Sequence, residues 1–370
     1  MNVLITSSTQ EHDDEASQVF DLAEQLRAEG HEVLVVVRQG SRLDQRVTAR
    51  GLQMRRLSFG PPSAMLRRRM DIRSLRYLIL AFRADVIHCH GDIDHQLAGT
   101  ARARAGANIP IVRTVVERAW SYSRISANTD FTIALSKEVA DDLRTIRGVQ
   151  AAHLHVIYPA VEVAMFDPSR RSDRWRTEVG ALQGEKLVGL IAPFNNFQAH
   201  HAFLEAAVSI LSLAPNTRFV AAALRPGGSP EPYLCSALES GIADRISFQS
   251  FLENVPSALA SLDVAIVTAG DSGTAPGALE YMASGTPVIA PREGWVGEVI
   301  EGGKTGLLVT PGDPASLARA TVSVLTNPGF ADNLRTAALE QIHEVHNRGR
   351  WIEAIMDVYK TAIAARSHAR

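Results

Sequence analysis

The chain has little of what would mark it as secreted, membrane-spanning or nucleic-acid-binding. Its 370 residues include two cysteines, Cys89 and Cys235. They lie far apart and without CxxC spacing, which excludes a disulfide framework and points to a reducing cytoplasm. There is no surplus of one charge: 38 Lys and Arg face 40 Asp and Glu, a net charge of −2. Such a balance gives no global attraction to nucleic acid. No apolar run approaches the ~20 residues that cross a bilayer, and Tyr77 to Phe82 (YLILAF) is far too short. The opening residues, MNVLITSS, lack the basic region of a secretory leader. Internal repeats and low-complexity tracts are also missing.

What is present is alternation. Hydrophobic content of 46% and charged content of 21% suit a globular protein, and the length supplies two domains with full cores. Val3 to Thr6 reads as a buried strand. Ala16 to Glu29 reads as an amphipathic helix with Val19, Leu22, Ala23 and Leu26 on one face, stopped by Gly30. Val33 to Val37 is a second buried strand, and this order at this spacing signals a parallel βαβ unit. Further strands follow at 85–88, 111–116, 131–135 and 155–158. The polar stretch Pro168 to Gly184 reads as a linker, after which strands and helices alternate again from Leu187. The expectation is an α/β protein of two Rossmann-like, doubly wound domains facing across a cleft, with a ligand at the carboxyl ends of the strands. Residues 1–168 form the first domain, 169–184 the linker and 185–349 the second domain; a final amphipathic helix covers 350–370.

The most informative segment runs from Ser272 to Asp313, SGTAPGALEYMASGTPVIAPREGWVGEVIEGGKTGLLVTPGD. A helix, a Gly-Thr-Pro turn, a short apolar strand and a glycine-rich loop succeed one another. This closely resembles the donor-binding motif of family-four (group 1) retaining glycosyltransferases of the GT-B fold. Other segments are similar to that family in order and spacing: 84–91 (ADVIHCHG), 133–138 (IALSKE), 156–166 (VIYPAVEVAMF), 189–206 and 241–264. The resemblance implies a nucleotide-sugar donor in the second domain and a glycan or lipid-linked acceptor in the first. It also implies that the last helix packs back on the first domain. Metal and resident cofactor are not required. Donor-side candidates are Gly189, Gln198, Arg225, Val255, Ser272, Gly273, Thr274, Ala275 and Glu280, the last as a carboxylate on ribose hydroxyls. On the acceptor side stand Asp13, Asp14, His90 and Arg113.

Four departures from the family pattern stand out. Gln198 replaces a lysine that would neutralise the leaving diphosphate, and Ser272 replaces the first motif glutamate. Val116 stands where a histidine is usual. Residues 10–15 (QEHDDE) replace a Gly-Gly loop with acid. Catalytic candidates are His90, for substrate contact, and Arg113 and Arg225, both expected at strand ends, as compensating charges. Two readings remain open at this point. One is a retaining glycosyltransferase of cell-surface glycan or lipid-linked acceptors; the other is a catalytically degenerate member serving as a binding or scaffold partner. Residues 88–95 (HCHGDIDH) look superficially like a metal cluster, but the resemblance accounts for both histidines without one. Arg67, Arg68, Arg69, Arg73 and Arg76 interleave with Met65, Leu66, Met70, Ile72 and Leu75, which reads either as an anionic-membrane surface at the inner face or as an ordinary packed helix.

Overall fold

The computed structural model describes residues 1–10, 14–61, 63–116, 128–224, 228–267 and 276–368. Contacts divide the chain into two compact units, Met1–Pro159 with Gly349–Arg370, and Ala160–Arg348.

The first unit runs β1 (Asn2–Ser7), α1 (Asp14–Ala28), β2 (Glu32–Arg38), α2 (Arg42–Ala49), β3 (Met54–Leu57), α3 (Met65–Ala81), β4 (Val86–Cys89), α4 (Asp92–Ala105), β5 (Ile111–Val115), β6 (Phe131–Ala134), α5 (Lys137–Thr145) and β7 (Leu154–Val156). Its seven-stranded sheet has the order β3-β2-β1-β4-β5-β6-β7, and the paired strands are parallel. Both faces of such a sheet are covered, so β1 and β2 are apolar nearly throughout. Leu4, Leu34, Val36, Ile87 and Cys89 meet Leu75, Leu78 and Ile79 of α3 and Leu97, Ala98 and Ala101 of α4. Gly106 ends α4 at φ +61°, a left-handed turn that glycine adopts without strain.

The second unit runs α6 (Asp173–Glu178), β8 (Lys186–Ile191), α7 (Phe197–Leu213), β9 (Thr217–Ala222), α8 (Glu231–Glu239), β10 (Ile246–Gln249), α9 (Val255–Ala260), β11 (Val264–Ile266), α10 (Pro276–Ala283), β12 (Val288–Pro291), α11 (Gly294–Val299), β13 (Leu307–Val309), α12 (Pro314–Thr326) and α13 (Pro328–Glu344). The six-stranded order is β10-β9-β8-β11-β12-β13, again parallel. Helix α14 (Arg348–His368) closes the chain and counts with the first unit. There the Tyr359 hydroxyl meets His88, and Arg366 pairs with Asp130 at 2.6 Å.

The boundary differs from the sequence expectation. The first unit ends at Pro159, before residue 168, and the stretch expected as a linker is folded into the second unit. Ser172 N donates to Ser261 Oγ at 2.9 Å. Arg176 donates to Ser261 O at 2.7 Å, Asp263 at 2.9 Å and Glu185 O at 2.6 Å. Polar composition suggested solvent, but these polar groups are taken up by buried partners.

Candidate functional site at the carboxyl ends of the two sheets

In a doubly wound sheet the crevice for a ligand opens where the strand order reverses. In the first unit the reversal falls between β1 and β4, and in the second between β8 and β11.

At the first reversal β1 delivers Ser7 and Ser8, and β4 delivers His90 and Gly91. Asp94 gathers them. Its carboxylate accepts from Thr6 Oγ1 at 2.7 Å, Ser8 Oγ at 2.8 Å, and the Ser8 and His90 amides at 3.2 Å each. Burial raises its pKa to about 6 against the pull of these donors. A Cβ on Gly91 would stand 2.6 Å from both Asp94 Oδ1 and Ser8 Oγ, so only glycine fits between them.

His90 is buried, its Nδ1 has no hydrogen-bond partner among the described residues, and its ring stacks on His88 at 4.4 Å. His88 is locked at both ends, with Nδ1 at 2.6 Å from Tyr359 Oη and Nε2 at 2.8 Å from Thr114 Oγ1. Burial pushes the pKa of His88 well below the usual imidazole range, and lowers that of His90 to about 3 with help from the Arg113 cation. Both rings are therefore neutral at pH 7. The residues from 88 to 95 disperse: Cys89 enters the core, Asp92 pairs with Arg113, and His95 Nε2 lies 2.6 Å from Thr129 Oγ1.

Arg113 corrects an expectation. It sits in the middle of β5, not at its end, with a side chain 1% exposed and ion-paired to Asp92. Its charge is committed within the fold. Asp14 opens α1, while Asp13 lies outside the described residues. The neighbouring Glu15 accepts from Ser7 Oγ at 2.7 Å.

At the second reversal β8 leads into the loop 193–196 and then α7. Asn196 caps that helix, its Oδ1 accepting from Ala199 N at 3.1 Å. Gln198, in the first turn, is exposed and borders a depression shared with Val267, Thr310, Gly312 and Asp313. Gly189 requires a second correction. It lies inside β8, and a Cβ there would meet Leu262 Cδ1 at 2.5 Å. Its missing side chain makes room for the core and does not open a ligand loop. Val255 begins α9, half-buried beside Ile191 and Leu252. Glu280 is half-buried on α10 between the buried Leu279 and Tyr281. The turn behind it is structural: Gly285 takes φ +69°, and Thr286 Oγ1 donates to Leu259 O at 2.7 Å. Arg225, Ser272, Gly273, Thr274 and Ala275 lie outside the described residues.

The basic helix α3 divides into two faces. Ile72, Leu75, Leu78 and Ile79 enter the core, and the buried Asp71 accepts from Ser58 Oγ at 2.8 Å. Outward stand Met65, Leu66, Met70, Tyr77 and Leu80, each 50–75% exposed, among exposed Arg67, Arg69, Arg73 and Arg76. Arg68 departs from that set: it is half-buried and turns to Gln96 of α4 at 3.5 Å. Tyr359 and Thr114 escaped sequence reasoning altogether, because their partner is far away in the chain and no local pattern marks it.

Comparison with known proteins agrees with this architecture. The family described as Glycosyltransferase Family 4 matches residues 16–164, and Glycosyl transferases group 1 matches 185–327. A D-inositol 3-phosphate glycosyltransferase of Acidothermus cellulolyticus is 26% identical over 95% of this chain and 86% of its own. One from Nocardioides sp. is 24% identical over 94% and 84%. Among solved structures, a glycosyltransferase from Rickettsia africae superposes with TM-score 0.87 at 14% identity, covering 98% of both chains. Anabaena HepE in complex with UDP and glucose gives 0.77 at 16%, covering 97% of this chain and 99% of its own. The lipopolysaccharide outer core galactosyltransferase WaaB gives 0.76 at 14%, covering 98% and 99%. Two matched halves, a shared architecture and the retained motif around Glu280 lead to one conclusion: the chain belongs to the family-four, group 1 glycosyltransferases of the GT-B fold.

Proposed function

We propose that this glycosyltransferase moves a sugar, with retention at the anomeric carbon, from a nucleotide-diphosphate donor to a cell-surface glycan or lipid-linked acceptor. The donor binds the second unit and the acceptor the first. The observation that carries the reading is that α7 follows β8 and α10, which bears Glu280, follows β11, the two strands that flank the reversal of the second sheet. A carboxylate there serves ribose hydroxyls, and a helix N-terminus serves a diphosphate. The UDP complexes of HepE support a nucleotide-sugar donor, and the names of WaaB and the inositol phosphate enzymes support a polyol or glycan acceptor.

In this mechanism Glu280 holds the ribose. The α7 dipole, with Gln198 as an uncharged hydrogen-bonding group, faces the leaving diphosphate. His90, neutral and following β4 at the carboxyl end of the first sheet, lies on the acceptor side. Transfer requires no resident metal or cofactor; the nucleotide sugar is the substrate. The protein works in the cytoplasm, peripherally at the inner face of the membrane, where exposed arginines and apolar side chains of α3 meet anionic lipid.

The test is calorimetric titration with a panel of nucleoside diphosphates and nucleotide sugars, followed by assay of diphosphate release with acceptor extracts and determination of product anomeric configuration. Glu280→Ala should cost ~2–3 kcal/mol of nucleotide affinity, the loss of hydroxyl contacts to a charged acceptor. No release with any nucleotide sugar, alongside intact folding and glycan or protein binding, would replace transfer with the scaffold reading. An inverted product would remove retention.

A further inference from the structure

The loop that follows β8 has its first two carbonyls turned into the domain. Pro193 O accepts from Asn196 N at 2.9 Å and lies 3.3 Å from His200 Nε2. Phe194 O accepts from the Tyr233 hydroxyl at 2.7 Å. Tyr233 comes from α8 and is fully buried. The His200 ring stacks on Phe194 at 4.9 Å and lies 4.4 Å from the ring of Tyr233. The described peptides are all trans, and in a trans peptide the N–H points opposite to the C=O. Holding these two carbonyls inward therefore turns the Phe194 and Asn195 amides outward, at the reversal point of the sheet. Neither amide has an acceptor among the described residues. Gly228 adds a second constraint. It takes φ +75°, and a Cβ there would lie 3.0 Å from both Asn195 N and Phe194 C. Glycine at this position lets the chain pack against the 194–195 peptide without displacing it.

We propose that Tyr233 is a positioning residue for the donor diphosphate, and that Gly228, by packing on the same peptide without a side chain, leaves it in that position. The inference rests on the donor reading above and deepens it. It says how the second unit offers a diphosphate two fixed N–H donors where Gln198 brings no charge. The hydroxyl is the group that matters. Without it, Phe194 O becomes a buried acceptor without this partner, and the peptide gains by rotating toward water. That rotation turns the Asn195 amide inward and removes it from the diphosphate. The aromatic ring of Tyr233 supplies packing alone, which phenylalanine preserves.

The experiment titrates UDP, GDP and ADP, and separately uridine, guanosine and adenosine, into the parent protein, Tyr233→Phe and Gly228→Ala, with thermal unfolding in parallel. The parent should bind at least one diphosphate. Each variant should bind that diphosphate about 10-fold more weakly, as expected for one charge-assisted hydrogen bond, while its affinity for the matching nucleoside stays unchanged. Equal losses for nucleoside and diphosphate would mean that the fold, not the loop peptide, was disturbed, and would overturn the proposal. Unchanged diphosphate affinity in both variants would overturn it as well. A parent that binds none of the three diphosphates would overturn the donor reading itself, and the inference with it.

Discussion

Acid should unfold the first unit through its buried histidines. His88, His90 and His95 all have pKa values below the ordinary 6.5, those of His90 and His95 at about 3. Burial is the main cause in each case. The Arg113 cation adds to it for His90 and His95, and the neighbouring His90 adds to it for His88. In the unfolded chain the same rings protonate near 6.5, so the unfolded state takes up protons first. The stability these groups contribute is complete above about pH 6.5 and is lost as the pH falls toward 3. Asp94 acts in the opposite sense. Its folded pKa of about 6 exceeds the ordinary 3.8, so between these values the folded state holds the extra proton and gains. The protons of His90 and His95 favour unfolding and that of Asp94 favours folding, which leaves about one, and His88 acts in the same direction as the other histidines. At about 1.4 kcal/mol per proton and pH unit, stability should fall by at least ~1.4 kcal/mol per unit between about pH 5.5 and 4.5. Against a total of about 5–15 kcal/mol that slope is decisive. His90→Gln removes one of these protons and should flatten the slope by about 1.4 kcal/mol per pH unit. Urea unfolding of the full chain at several pH values, read by hydrogen exchange at β1 and β4, follows the first unit by itself. A variant slope equal to the parent's would show that His90 is already protonated in the folded state, and the reasoning would fail.

Three further outcomes are expected. Asp92→Ala removes the carboxylate from a guanidinium that is 1% exposed, and should cost on the order of 3 kcal/mol of stability in chemical denaturation; a change within 0.5 kcal/mol, the ordinary range for a surface substitution, would mean Arg113 is neutralised elsewhere. Gln198→Lys should strengthen diphosphate binding, most at low salt; affinity unchanged at every ionic strength would mean that position 198 does not face the diphosphate. The parent chain should sediment with anionic vesicles and not zwitterionic ones, and replacing Arg67, Arg69, Arg73 and Arg76 by Gln should abolish this, each basic residue contributing ~1 kcal/mol. Equal binding to both vesicle types, or to neither, would reduce the outer face of α3 to ordinary surface.

The sequence by itself determined the two doubly wound sheets. Parallel strands are buried on both faces and read as apolar runs, as at Val33 to Val37, and the helices between them show their periodicity locally. It also determined the family, because the motif around Glu280 is contiguous. The unit boundary escaped it, because Arg176 is polar in composition and buried in fact, its donors satisfied by Ser261, Asp263 and Glu185. Gly189 misled for a related reason: a glycine that admits Leu262 and a glycine that admits a ligand look alike in one dimension. Arg113 looked like a candidate for the site until the fold set Asp92 against it. Tyr359 on His88 and Tyr233 on the carbonyl of Phe194 were decided by tertiary structure alone. A buried hydroxyl finds its partner through space, across helices that the chain brings together only when folded, and no spacing along the sequence records the meeting.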